Sequence, residues 1–265
     1  MKTVVSLTTI PSRLKDENPG GIKKCIESLV TQNFKDYEVH FNIPHIHKYD
    51  GEEYTVPQWL TEIVEANPIL KIFRGEDYGA ITKIADTIKR IKDPESIIIT
   101  ADDDLIYHPD MVLEQYKNQT ERFNNCAVGY DGLRALQPTF SDIRDYYVVS
   151  IDRNVKVNIL QHYKTVSYRR KYFKEDFFTD FLDKSWADDI TVSAYMGKQG
   201  IEKIVTFYNK ERIPSSKEEW TEIGGVTTFP VLAHTNHDRE EGCFLLRDKG
   251  VNDNIKYFTS KGYLI

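Results

Sequence analysis

A run of apolar residues that ends in consecutive aspartates constrains the fold of this chain more than any other feature. The segment Ser96–Thr100 reads Ser-Ile-Ile-Ile-Thr, so its central positions do not alternate with polar ones. Such a strand must be covered on both faces, which is typical of a central strand in a parallel sheet. The sequence therefore predicts an α/β fold and places Asp102–Asp104 at the carboxyl end of a central strand.

Strand and helix patterns alternate along the first half of the chain. Runs rich in β-branched residues predict strands, and apolar residues at helical spacing predict helices between them. The predicted strands cover 4–8, 37–44, 70–73 and 96–100, and the predicted helices cover 22–30, 57–66 and 81–91. This order implies a mostly parallel central sheet flanked by helices, with ligands bound beyond the carboxyl ends of the strands where the strand order reverses.

The second half of the chain has a different character. Tyrosine and phenylalanine are frequent between residues 140 and 186, and the periodicity is weaker there. Strands are expected over 147–151, 155–160 and 204–208, and a helix is expected over 188–199. We therefore expect a smaller mixed region beside the parallel part of the sheet.

Charge and cysteine content narrow the class of protein. The 265 residues carry 35 Lys and Arg against 41 Asp and Glu, a formal charge of −6, and no basic stripe that would bind nucleic acid. No apolar run is long enough to span a bilayer. The three cysteines show no Cys-x-x-Cys spacing, which favours buried thiols in a reducing compartment. We expect a soluble, cytoplasmic protein, and peripheral association with a membrane stays open.

The acidic triplet Asp102–Asp104 predicts a metal site. Three carboxylates in succession repel one another at the end of an apolar strand unless a cation lies between them. Hard oxygen ligands suit Mg²⁺ or Mn²⁺, which bind one or two protein carboxylates together with substrate phosphates. The alternative is a solvated acidic turn that caps the helix expected near Pro109.

A second acidic pair, Asp188–Asp189, begins the helix predicted in the second half. One aspartate is sufficient as an N-cap, so the other is available to accept a proton from a bound hydroxyl group. Trp186 lies two residues before the pair and offers a flat face for a sugar ring. The alternatives are a purely structural helix cap and a tryptophan that belongs to the core.

The loop Asp77–Lys83 joins a predicted strand to a predicted helix. Gly79 would allow the backbone to approach a ligand closely, and Lys83 would reach a phosphate from the first helical turn. An ordinary loop with a solvated lysine is the alternative.

Two histidines, His234 and His237, follow another strand-like run near the end of the chain. An imidazole is a suitable ligand for manganese, although a lone histidine is more often a hydrogen-bonded structural residue. The sequence favours neither interpretation.

Taken in order, these motifs resemble the GT-A glycosyltransferases, the nucleotide-sugar-dependent type that carries an Asp-x-Asp element. The resemblance extends over residues 3–205 and rests on four blocks, which are Ser6–Arg13, Asp77–Lys83, Asp102–Asp104 and Asp188–Ile190. The first block is similar to the first strand and nucleotide-binding loop of a bacterial and viral subgroup. Asp103 is an additional aspartate relative to that pattern, which leaves the choice of ligands within the triplet open.

The resemblance implies an inverting transferase with one GT-A domain over 1–265, which has a donor-binding half over 1–130 and an acceptor-side half with a C-terminal tail over 131–265. It implies a nucleoside-diphosphate sugar donor with uridine as the expected base, a glycan or glycoconjugate acceptor, and Mn²⁺ or Mg²⁺ as cofactor. The residues that would bind the donor are Thr8, Thr9, Arg13, Tyr78, Gly79, Lys83, Asp102 and Asp103.

The same resemblance implies the remaining roles. The residues that would hold the metal are Asp102, Asp104, His234 and His237. Asp189 would remove the proton of the acceptor hydroxyl, while Asp188 and Trp186 would position the acceptor.

Two rival functions share parts of this pattern. A sugar-phosphate nucleotidyltransferase has the same architecture and needs a metal, but it usually carries a glycine-rich loop near the first strand, and Ser6–Arg13 contains no glycine. A carbohydrate-binding protein without catalytic activity would need the aromatic residues alone. Neither a GxxxxGK[ST] loop nor a GxGxxG fingerprint is present, which argues against ATPase and dehydrogenase functions.

Overall fold

The strands and helices predicted for the first half form in the computed structural model, which describes residues 1–15, 20–134, 147–149, 154–182, 187–206, 226–228 and 253–264. The elements of this half are β1 (Thr3–Thr8), α1 (Pro11–Leu14), α2 (Gly20–Val30), β2 (Glu38–Pro44), α3 (Gln58–Ala66), β3 (Leu70–Gly75), α4 (Thr82–Arg90), β4 (Ile97–Thr100), β5 (Leu105–Tyr107) and α5 (Met111–Lys117). A short strand, β5, therefore separates the acidic triplet from the helix that was expected near Pro109.

The second half contributes β6 (Cys126–Gly129), β7 (Asp131–Leu133), β8 (Tyr147–Val149), β9 (Val155–Lys156), β10 (Ile159–Leu160), β11 (Val166–Arg169), α6 (Glu175–Asp180), α7 (Asp188–Lys198), β12 (Glu202–Val205), β13 (Val226–Thr228) and a helix over 253–260. The prediction of one strand over 155–160 is wrong, because β9 and β10 belong to different sheets. Two strands that were not predicted, β6 and β11, lie inside the large sheet.

Eight strands form the central sheet in the order β3-β2-β1-β4-β11-β6-β12-β9. The neighbours from β3 to β4 are all parallel, β11 runs antiparallel to both β4 and β6, and β6 and β12 are again parallel. From β1 the chain proceeds to β2 and β3 on one side, whereas β4 lies on the other side. The order of the strands therefore reverses between β1 and β4, and ligands of open α/β sheets bind at such a point.

Strand β4 is covered on both faces, as its composition predicts. Ile97 and Ile99 pack with residues of α2 and α3 in one core cluster, and Ile98 packs with residues of α4, α6 and α7 in the other. All three isoleucines are fully buried, and complete burial of such a side chain contributes about 2 kcal/mol to folding. The sheet is thus the middle layer of the fold, and its carboxyl-end loops remain available for a site.

Most of the aromatic side chains described in the second half belong to the core. Tyr168, Tyr172, Phe173, Phe177 and Phe181 are all buried in the cluster that covers Ile98. Apart from Tyr172, their rings pack edge-to-face or stacked on one another or on Tyr195 of α7. Among the described residues, no helix has the length and apolar character needed to cross a membrane.

Candidate functional site

The residues that follow β1 and β4 meet where the strand order reverses. Thr9 and Arg13 follow β1, and the acidic triplet follows β4, so parallel pairing of the two strands brings both loops to the same edge of the sheet. The Tyr107 hydroxyl accepts a hydrogen bond from the backbone N–H of Asp102 (2.7 Å) and donates one to the Asp102 carbonyl (3.0 Å). A buried side chain of β5 therefore fixes the backbone at the start of the triplet.

Within the triplet, Asp103 points inward and is held by its own chain. Thr9 donates its hydroxyl hydrogen to Asp103 Oδ2, and Arg13 Nη1 donates to Asp103 Oδ1. The Asp103 side chain is 6% exposed, whereas those of Asp102 and Asp104 are 29% and 23% exposed. The two outer aspartates are thus the members of the triplet that a ligand can reach.

Asp104 carries the least compensated negative charge of the triplet. Burial and the charges of Asp103 and Asp102 raise the pKa of Asp104 to about 6, and Arg13 offsets this only in part. The Arg13 Nη2 atom lies 3.4 Å from Asp104 Oδ2. A carboxylate so placed is stabilised by any cation that arrives with a ligand.

Lys83 connects the triplet to the acidic pair of α7. Its Nζ atom lies 2.5 Å from Asp102 Oδ1 and 2.7 Å from Asp188 Oδ2. Burial by itself would lower the pKa of Lys83, but the two carboxylates outweigh burial and raise it. The ammonium group is therefore a permanent positive charge between two acidic clusters.

The acidic pair Asp188–Asp189 meets a histidine that the sequence analysis missed. His162 Nδ1 lies 2.8 Å from Asp189 Oδ1 and 3.2 Å from Asp188 Oδ2, and its ring is fully buried. Burial raises the pKa of Asp188, but Lys83 and His162 outweigh it and lower that pKa well below the ordinary value. Burial and the charge of Asp188 raise the pKa of Asp189. Asp188 therefore stays ionised, and Asp189 is the stronger base of the two.

Two groups of side chains have the chemistry to hold a metal. One consists of Asp102 and Asp104, whose oxygens suit Mg²⁺ or Mn²⁺. The other consists of His162, Asp188 and Asp189, whose ligand atoms all lie within 4.8 Å of one another. In the second group Lys83 and His162 already balance both carboxylates, whereas Arg13, at 3.4 Å, offsets the raised pKa of Asp104 only in part. The residues present at Asp102 and Asp104 therefore fit a divalent cation better.

The remaining residues of the predicted donor site lie toward the β2–β3 side of the sheet. Thr8 donates its hydroxyl hydrogen to the Asn42 carbonyl (2.8 Å). Tyr78 contacts Glu76 and Lys89 through its hydroxyl, and Gly79 has a positive φ of 76°. That conformation favours glycine.

The Tyr78–Gly79 loop borders a cavity at the ends of β2 and β3. The cavity has a volume of about 660 Å³, and its lining includes His45, Lys48 and Tyr78. Asp77 accepts hydrogen bonds from the backbone N–H groups of Gly79 (2.7 Å) and Lys48 (2.9 Å), and so holds the wall of the cavity together.

The structure thus brings together Thr9, Arg13, Lys83, Asp102, Asp103, Asp104, Asp188 and Asp189. Trp186, His234 and His237 lie outside the described residues, so their roles stay predictions. His162 lies two residues after the end of β10, and a histidine just after a predicted strand is a recognisable signal. His234 showed the same signal in the sequence.

Comparisons with known proteins establish the fold alone. No family model and no curated protein matches the chain. One similar structure is that of GalNAc-T7 with UDP, GalNAc and Mn²⁺, at 10% identity, with 77% of this chain and 41% of that chain covered and a TM-score of 0.51.

Two further structures match at lower TM-scores. Residues 1–349 of S. aureus TarS with UDP-GlcNAc match at 16% identity and a TM-score of 0.45, with 74% of this chain and 54% of that chain covered. A cytidylyltransferase from Francisella tularensis matches at 11% identity and a TM-score of 0.44, with 79% of this chain and 94% of that chain covered. The chain spans about half the length of the TarS structures that it matches. The predicted fold class, an α/β fold of the GT-A type, is confirmed.

Proposed function

We propose that the protein is a metal-dependent glycosyltransferase that moves a sugar from a nucleoside-diphosphate donor, with UDP-sugars as the first choice, to a hydroxyl group of a glycan acceptor. The observation that carries this proposal is the position of Lys83, whose ammonium group joins Asp102 of the triplet to Asp188 of the acidic pair. The proposed donor-binding cluster and the proposed base are thereby held beside each other, as a displacement at a sugar carbon requires.

The residues after β1 and β4 form the donor end of the proposed site. Arg13 and Thr9 hold Asp103 inward, and that contact leaves Asp102 and Asp104 to face the donor. These two carboxylates would hold Mn²⁺ or Mg²⁺. When bound, such an ion neutralises the charge that develops on a departing nucleoside diphosphate.

The acidic pair of α7 forms the acceptor end. Asp188 stays ionised between Lys83 and His162, and burial together with the charge of Asp188 makes Asp189 the more basic of the two. We assign Asp189 as the general base and Asp188 as a positioning residue for the acceptor. The acceptor oxygen forms a bond to the anomeric carbon, the bond from that carbon to the diphosphate oxygen breaks, and the hydroxyl proton moves to Asp189. One displacement of this kind inverts the anomeric centre.

Product analysis tests the proposal against its two rivals. The protein is incubated with a panel of UDP-sugars and glycan acceptors in the presence of Mn²⁺, and in parallel with sugar phosphates and nucleoside triphosphates. We expect release of a nucleoside diphosphate and formation of a glycoside of inverted configuration, both abolished by EDTA. Release of pyrophosphate from a triphosphate would indicate a nucleotidyltransferase, and binding of sugars without turnover of any donor would indicate a carbohydrate-binding protein. Either result would overturn the proposal.

A further inference from the structure

A buried histidine lies behind the proposed base, and the reaction as described above assigns it no role. His162 follows β10 and is completely buried between the amino end of α7 and Tyr168 of β11. It therefore cannot touch a substrate. Its side chain nevertheless contacts both carboxylates of the acidic pair.

The contacts of His162 hold one oxygen atom of Asp189. The backbone N–H of His162 donates to Asp189 Oδ1 at 2.8 Å, and ring atom Nδ1 reaches the same oxygen at 2.8 Å. On the other side of the ring, Nε2 lies 2.7 Å from the Tyr168 hydroxyl oxygen. No described residue forms a hydrogen bond with Asp189 Oδ2. One oxygen of the carboxylate is thus fixed twice, and the other has no hydrogen-bond partner among the described residues.

The charge state of the ring agrees with this geometry. Burial alone would lower the pKa of His162, but the neighbouring carboxylates outweigh burial and raise the pKa to about 9. The ring is therefore protonated at neutral pH, so both nitrogens are donors, to Asp189 and to the Tyr168 hydroxyl oxygen. Asp189 accepts both of these hydrogen bonds at Oδ1, so Oδ2 stays available to accept a proton.

Only one member of this hydrogen-bonded chain reaches solvent appreciably. The Asp189 side chain is 30% exposed, whereas His162 and Tyr168 are fully buried and Asp188 is 11% exposed. Buried charged groups contribute little net stability compared with apolar residues of similar volume. A chain of buried polar groups that ends on one exposed carboxylate is therefore better explained by orientation of that carboxylate than by stability.

We infer that His162 is a positioning residue that orients Asp189 through the chain Tyr168–His162–Asp189, so that Oδ2 faces the acceptor hydroxyl. This inference rests on the proposed function, because a base needs orientation only if there is a proton to remove. It assigns to the site two residues, His162 and Tyr168, that touch neither donor nor acceptor.

The test compares variants that remove or retain the donor at the position of Nδ1. His162→Leu removes both ring donors, whereas His162→Asn retains an N–H group close to the position of Nδ1. We expect kcat to fall about ten- to a hundredfold in His162→Leu, the range for loss of an orienting partner, with the KM for the donor unchanged. We expect His162→Asn to recover a substantial part of that loss.

The pH profile supplies a readout that a merely structural role would not move. His162 lowers the pKa of Asp189 by hydrogen bonding and by its charge. Its loss should therefore shift the acid limb of kcat to higher pH in His162→Leu, and less in His162→Asn.

If His162→Leu fails to fold, Tyr168→Phe removes only the far hydroxyl and should reduce kcat by a smaller factor, with a shift of the acid limb in the same direction. Tyr195→Phe is the matched control, because its buried hydroxyl bonds to Asp176 (2.6 Å) and to Lys174 N–H (2.9 Å), outside the chain.

The possible outcomes separate the inference from the proposed function. An active wild-type protein whose folded His162→Leu or Tyr168→Phe variant keeps both kcat and the acid limb would overturn the inference about His162 alone. A wild-type protein that turns over no donor would overturn the proposed function, and the role of His162 with it.

Discussion

Replacement of Asp189 by asparagine is expected to reduce sugar transfer at least about a hundredfold, as the loss of a general base does, while donor binding stays intact. The amide has nearly the same size as the carboxylate but cannot accept the proton of the acceptor hydroxyl. Donor binding is expected to persist because Lys83 links the triplet after β4 to Asp188 of α7 and not to Asp189.

The measurement is a comparison of kcat for transfer with the Kd for the donor in wild type and in Asp189→Asn. Asp180→Asn serves as the control, since this aspartate of α6 is 53% exposed, pairs with Lys198 and should transfer at the wild-type rate. Turnover within a few-fold of wild type in Asp189→Asn would assign the base to another residue.

Replacement of Asp104 by asparagine is expected to abolish the metal dependence of donor binding without unfolding the protein. Asp104 is repelled by Asp102 and Asp103 and is only partly balanced by Arg13. Removal of its charge relieves that repulsion, so the melting temperature without ligand should be equal to or above that of wild type. The same change removes a hard oxygen ligand that a divalent cation needs.

Thermal unfolding with and without a UDP-sugar, each in Mn²⁺ or EDTA, measures this effect. A donor that binds only the folded state stabilises it by about 2.7 kcal/mol at a concentration one hundred times its Kd. The wild-type melting temperature should therefore rise with donor in Mn²⁺ and much less in EDTA, whereas Asp104→Asn should show the smaller rise in both. Asp93→Asn is the matched control, because it makes the same charge change before β4, at the opposite end of the strand. An Asp104→Asn variant that keeps the Mn²⁺-dependent rise would exclude Asp104 as a ligand.

The parallel half of the fold and the position of the acidic triplet in it could be predicted because local sequence determines both. The apolar segment Ser96–Thr100 must lie in the interior, and a loop after such a strand must lie at the carboxyl edge of the sheet. The same reasoning placed Lys83 on the first turn of α4, where the structure has it. For these residues, the burial of the side chain and its place in the strand, loop or helix follow from neighbours in the sequence.

The antiparallel strands could not be predicted in the same way. In β11 the polar residue Ser167 is fully buried, because its hydroxyl bonds to Gln115 Oε1 (2.8 Å), which comes from α5. A pattern of apolar and polar residues does not reveal a buried serine whose partner is distant in sequence. Strand pairing of β11 with both β4 and β6 is likewise a property of the folded chain.

The partners within the site also depend on tertiary structure. The sequence predicted which aspartates belong to the candidate site, but it did not indicate that Arg13 would hold Asp103 or that His162 would reach Asp189. These pairs are separated by 90 and 27 residues. Their contacts arise only when β10 and the loop after β1 take their places beside α7 and β4.

The proposed metal site after β4 can be tested by locating manganese with anomalous diffraction in crystals grown with UDP and Mn²⁺. One strong anomalous peak is expected at the end of β4, within coordination distance of Asp104 and of the diphosphate. A peak enclosed by His162, Asp188 and Asp189, or a bound UDP whose diphosphate lies away from the aspartates after β4, would contradict it.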